Sequence, residues 1–277
     1  MDITSKDLQF LVDQENKKVY RTIYGLVVKE YENLLIGTRP LSDDDPKFKA
    51  MGSCGIYLSS LVELLHTTRD LIDKGFIESG GSVATSLWER ALTLRKIMLD
   101  PIKNSQILVE HEKVKSTPWI IWNMVKEVTD REVKDKSKRE ITAKLFYMQY
   151  TFLCSIKHGN PYTVSYLNRP DRSSERVLYK VKPNDSVDDI DLKIHILLLS
   201  MDIALDAIID YSRIYRNQTE INGLAELRDF LTRVSKSIPL EVPKIFISSP
   251  EEMGKDFWEF LERLDAEERP RFEGPLI

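Results

Sequence analysis

The sequence predicts an all-α fold: a multi-helix bundle with a long central helix and minimal or no β structure. Three observations carry that expectation. Apolar residues recur at three- and four-residue steps through most of the chain up to about position 238. Glycine (11) and proline (12) together make about 8% of the 277 residues, below the roughly 12% of average usage, so breakers are sparse. Residues 196–199 are apolar on every side, a pattern that only a helix near the centre of a bundle tolerates.

Taken in order, the elements justify themselves locally. Ser5-Lys6-Asp7 opens a first helix reaching about Gly37, with Leu8, Leu11, Val12, Val19, Ile23, Leu26, Val27 and Leu34 at helical steps. Gly37 and Pro40 stop it, and Ser42-Asp43-Asp44-Asp45-Pro46 reads as a solvated turn, because it lacks the alternating ligands and terminal Glu of a calcium loop. A helical pair is expected over 57–74 and 82–100, joined by a turn around 75–81 in which Ser82 would be the N-cap. Pro101 should end the second of these. Short helices follow over 107–112 and 118–127, then a charge-dense stretch over 130–144 that reads as a solvated face.

A helix over 140–157 should close at His158-Gly159-Asn160-Pro161. Residues 168–189 read as a long loop, unusual enough in length to suggest an interaction surface. The longest helix is expected over 188–216, about 43 Å at 1.5 Å per residue, with another over 220–236. Residues 1–238 thus form the bundle domain. Residues 239–277 form an extended segment, a short helix and a tail, whose Phe257, Trp258 and Phe272 are candidates for contact with a partner.

Charge and cysteine content narrow the chemistry. The net charge of −4 does not indicate nucleic acid, although a local basic face would be compatible with it. Cys54 and Cys154 sit in apolar helical settings that favour free thiols, and the N-terminal residues lack the pattern of a signal peptide, so a cytoplasmic location is expected. The apolar run 194–209 is broken by His195, Asp202 and Asp206 and fails as a membrane span. No cofactor and no metal site is expected. Glu63 and His66 supply half of a di-iron ligand set, and no other His has Glu three residues before it. Two distant cysteines and four scattered histidines offer no zinc spacing, and Glu110-His111-Glu112 cannot converge on one ion from adjacent helix positions. Asp202, Asp206 and Asp210 lie four apart on one helical face; they read as that helix's wet edge, with Arg213 pairing back, or else as a stripe that could hold magnesium. Ser79-Gly80-Gly81-Ser82 lacks the Lys of a phosphate loop, and no Gly-x-Ser-x-Gly elbow occurs.

The remaining cluster comprises Tyr147, Tyr150, Ser155, Lys157 and His158, with Glu89 and Arg90 expected to face it. Its structural reading is a helix end closed by His158; its functional reading uses His158, Lys157, Glu89 and Arg90 as weak catalytic candidates. Helical nucleases of the HEPN superfamily place an Arg a turn or two before a His. No Arg stands five to seven residues before His66, His111, His158 or His195, so only a degenerate relative of that kind is compatible.

Leu61-Val62-Glu63-Leu64, Gly75, Leu87-Trp88-Glu89-Arg90-Ala91-Leu92, Asp100-Pro101 and the run from Tyr147 through Ser155 to His158-Gly159-Asn160-Pro161 resemble an uncharacterised bacterial all-helical family of unknown function. The resemblance spans roughly residues 58–215. It implies a helical fold, no established activity, and a loose link to bacterial defence or signalling. The sequence therefore favours a non-enzymatic interaction protein, a self-associating or partner-bound subunit or adaptor, with a role in antiviral defence as its speculative setting. A degenerate HEPN-like nuclease or nucleotide-responsive effector is the alternative.

Overall fold

The computed structural model describes residues 5–37, 47–113, 118–158, 190–215 and 218–237. The expected segment 168–189 and the candidate partner residues Phe257, Trp258 and Phe272 lie outside the described residues. Those described form eight helices and no strand. These are α1 (Ser5–Gly37), α2 (Lys47–Asp73), α3 (Ile77–Leu99), α4 (Pro101–Lys113), α5 (Ile121–Glu132), α6 (Lys136–Lys157), α7 (Ile190–Tyr215) and α8 (Gln218–Ser237).

Two helices organise the packing. α3 lies against α2, α4, α5, α6 and α7, and α7 also packs on α1, α2 and α8. α7 is central, as expected, because Ile194, Ile196, Leu197, Ile203, Leu205 and Ile208 are buried around its circumference. It is not the longest helix. At 26 residues it is shorter than α1, with 33, and α2, with 27. α1 buries a stripe richer in tyrosine than expected: Tyr20, Ile23, Tyr24, Val27, Tyr31 and Leu34 face inward, while Val19 and Leu26 face out. Two of those phenols satisfy themselves on backbone carbonyls. Tyr24 donates to Leu65 at 2.9 Å and Tyr31 to Ala204 at 2.6 Å, tying α1 to α2 and α7.

The turn between α2 and α3 is much shorter than the expected 75–81. Gly75 adopts φ +83°, its N–H bonds to the Ile72 carbonyl, and the Phe76 N–H reaches back to Leu71 at 2.8 Å. That is a Schellman stop, which needs the left-handed conformation glycine adopts without strain. Helix α3 then starts at Ile77, so Gly80-Gly81 lie inside it and Ser82 is no N-cap; its hydroxyl donates to the Glu78 carbonyl instead. The two glycines are there for close packing. A Cβ on Gly80 would stand 2.6 Å from Ile72 Cδ1, and one on Gly81 would stand 2.6 Å from Ile156 Cγ2. Glycine lets α3 approach α2 and α6 at those points.

Pro101 both ends α3 and opens α4, where its missing N–H costs nothing. Asp100 accepts from the Lys103 N–H at 3.2 Å, and Asn104 donates to the Lys96 carbonyl at 2.8 Å, one of the last carbonyls of α3. The stretch 130–144 resolves into the end of α5, a short link and the start of α6, capped by Asp135 on the Ser137 N–H at 3.0 Å. Those bonds to Ser137 hold the Asp135 carboxyl below its ordinary range. Cys54 is a buried free thiol pushed up to about 12 by burial, and Cys154 is a half-buried one, also raised chiefly by burial.

Candidate functional site

Of the four residues singled out as weak catalytic candidates, the structure joins two. Glu89 on α3 accepts a hydrogen bond from Tyr150 at 3.0 Å, and Lys157 stands 3.5 Å from the same carboxylate oxygen. Tyr150 stacks on the buried indole of Trp88, 5.1 Å between ring centroids. Burial first, with Cys154 and Glu89 adding to it, raises the Tyr150 phenol far above its ordinary value. Burial raises Tyr147 to about 12. His158 ends α6 with its N–H on the Cys154 carbonyl at 2.9 Å, while its ring is exposed and meets no described partner. Ser155 donates to the Phe152 carbonyl and not to His158. Arg90 is exposed and meets no carboxylate among the described residues. Glu89, Lys157 and Tyr150 are thus a fastening between α3 and α6.

The main electrostatic feature lies elsewhere. The side chain of Arg95 on α3 is only 1% exposed, and its guanidinium meets Asp210 at 3.0 Å, Asp206 at 3.2 Å and Glu132. Asp210 also receives Arg131 at 2.5 Å and Arg213 at 3.1 Å. Asp206 and Asp202 are each held by Arg228 of α8 at 2.9 Å. Four arginines and four carboxylates from α3, α5, α7 and α8 thereby balance to zero formal charge. Burial alone would lower Arg95, but Asp206, Asp210 and Glu132 together hold it above its ordinary value. Asp202 is raised too, but by burial itself, only partly offset by Arg228, which pushes it up to about 6 and favours its neutral form.

The aspartate stripe of α7 is therefore no wet edge. Arg213 does pair with Asp210, as expected, but that carboxylate is buried and the stripe is the acidic half of an interhelical lattice. Sequence reasoning missed Arg95 and Arg228, and it read Arg131 and Glu132 as part of a solvated face, whereas they pair with Asp210 and Arg95. The signal for Arg95 was present, since it continues the apolar sequence Trp88, Ala91, Leu92 at the next inward position of α3. A cavity of about 250 Å³ opens beside this lattice, lined by Thr129, Thr142, Phe146 and Gln149. Among the described residues no group of three or more His, Cys, Asp or Glu is arranged to hold a metal ion. His66 instead contacts Glu32 at 3.0 Å.

A second concavity is apolar. A groove of about 730 Å³ runs between α2, α3, α4 and α5, walled by Ile56, Tyr57, Leu108, Val109, Trp119 and Met124, with Glu89 and Arg90 on its α3 side. Ile56 is 73% exposed, the most of any large hydrophobic residue described, and Val109 is 46% exposed. Lys96 lies over the Trp119 ring at 5.7 Å and pairs with Glu127, which fixes that wall.

The fold and these two regions define an all-α bundle with a charge-balanced interior and an open apolar groove. No family model matches the chain, and no curated protein and no solved structure is significantly similar to it. No helix among the described residues is long and apolar enough to cross a membrane.

Proposed function

We propose that this chain is a helical interaction protein, a non-enzymatic subunit or adaptor, and that the α2–α3–α4–α5 groove is its docking surface. The observation that carries this reading is the groove itself, whose exposed Ile56 and Val109 adjoin Tyr57 and Trp119 in one concave face. Binding sites are concave and mostly apolar with a few placed polar groups, and this groove has that make-up, with Arg90 as its uncompensated charge. The interior charges support the same reading, since each arginine and carboxylate of the lattice is occupied by another. A place in bacterial antiviral defence stands on the family resemblance alone.

The nuclease-like alternative rests on His158, Lys157, Glu89 and Arg90. Its support is weaker, because Glu89 and Lys157 pair with each other while the His158 ring and Arg90 share no contact with them. Incubation with RNA and DNA beside His158→Ala tests it, and loss of cleavage in the variant alone would restore it.

The docking reading is tested with native extract passed over the immobilised chain. The expected result is a complex of defined stoichiometry by light scattering that Ile56→Asp removes without changing the circular-dichroism spectrum. A strictly monomeric chain with no groove-dependent partner overturns it.

A further inference from the structure

The groove has one occupant that the chain itself can supply. Residues 238–277, which lie outside the described residues, follow α8 directly and contain ten acidic and five basic residues, a net charge of −5. The whole chain carries −4, so the preceding 237 residues sum to +1. Within the segment, Met253, Phe257, Phe260, Leu261 and Leu264 recur at helical steps, with Asp256, Glu259 and Glu262 between them beside Lys255 and Arg263, so residues 253–264 themselves carry a net charge of −1. That is the pattern of an amphipathic helix that lays an apolar stripe into a hydrophobic groove.

The groove offers the complement. Its walls are Ile56, Tyr57, Val109, Trp119 and Met124, and its uncompensated charge is the exposed guanidinium of Arg90. Glu89, the other charge lining it, is neutralised by Lys157. Three carboxylates flanking one apolar stripe give that stripe a partner for the one cation beside the apolar trough. Reach is no obstacle. Asp256 lies nineteen residue steps beyond Ser237, which span up to ~63 Å when extended, against a radius of gyration of roughly 18 Å for a domain of this length.

We infer that residues 253–264 dock in the α2–α3–α4–α5 groove of the same chain, with Phe257 and Leu261 against the apolar walls and Asp256 or Glu259 on Arg90. The inference rests on the reading of the groove as a docking surface and names its resident ligand. An external partner then competes with this segment, and Phe257→Ala with Leu261→Ala raises partner capture.

The test uses the full chain with a photo-crosslinking benzophenone amino acid at Ile56. Digestion after illumination is expected to join that site to the tryptic peptide 256–263 at monomer mass. Phe257→Ala with Leu261→Ala removes the product, as does Arg90→Glu, and Arg90→Glu combined with Glu259→Arg restores it on peptide 256–259 or 260–263, since the new arginine adds a tryptic site. A product only at dimer mass assigns the groove to a second copy and overturns the inference; so does a product joined to another segment, or none. If Ile56→Asp still abolishes partner capture while the 256–263 product is missing, only the inference falls. If both fail, the docking surface falls with it.

Discussion

Arg95 meets three carboxylates inside the bundle, whereas Ile56 of α2 leaves 73% of its surface open to water. The two regions invert the usual arrangement of apolar groups inside and charges outside. In the lattice, charge is stranded in the core and closed off by equal numbers of opposite charges. In the groove, hydrocarbon is stranded at the surface and nothing described closes it. An internally satisfied cluster holds helices together, and an unsatisfied face is where something else can bind.

The strongest way to break this comparison is at Arg95. Arg95→Leu leaves Asp206, Asp210 and Glu132 facing one another, and removing one partner of a buried pair costs about 3–5 kcal/mol. Urea unfolding should show a loss of that size, with Arg95→Lys recovering only part, because an ammonium cannot reproduce the guanidinium fork. A loss under about 1 kcal/mol, the range of surface ion pairs, would mean the lattice holds little together.

The next effect is a pH dependence. The folded chain keeps a proton on Asp202 up to about 6, whereas the unfolded chain releases it near 3.9. Its stabilising contribution is therefore full below about 4 and lost as pH rises through about 6, by up to roughly 3 kcal/mol. His195 runs oppositely. Burial lowers it to about 4, so its contribution is present above about 6.5 and lost as pH falls. The difference in unfolding free energy between wild type and Asp202→Asn cancels the histidine and should decline from pH 4 to 7. A flat difference would place that carboxylate in water and shrink the lattice by one member.

Smaller still is the packing of α3 on α6. Gly81→Ala gains about 1 kcal/mol of helix propensity but drives a methyl into the branched Ile156, where overpacking costs about 1–3 kcal/mol. The net change should be destabilising, and larger than for Gly80→Ala, which meets the flexible end of Ile72. Smallest is Ile56→Asp, an exposed site where stability should move by no more than about 0.5 kcal/mol in thermal or urea unfolding. A large loss there would show Ile56 to be core.

Much of the fold was legible because periodicity reports which face is buried. The bounds of α1, the centrality of α7 and the closure of α6 at His158 follow from apolar spacing and stop signals. The glycines of α3 were misread as a turn, because a sequence shows that a side chain is missing but not which neighbour fills the space. The aspartates of α7 were misread as solvated for a related reason. Their partners Arg95 and Arg228 are remote in sequence, and only the packing of α3 and α8 on α7 brings them together. The groove was invisible for the same cause, being a gap between four helices and not a motif on any of them.

Both regions share α3. Arg90 beside the groove and Arg95 in the lattice are five residues apart on one continuous helix, about 7.5 Å along its axis. That separation lies at the edge of the ~7–10 Å beyond which substitutions usually combine independently, so additivity has to be measured. A double variant spanning the two addresses must therefore be scored against both single variants, and a binding defect from Arg90→Glu interpreted only beside its melting curve. A screen that reads one position at a time along α3 would assign to recognition what belongs to rigidity.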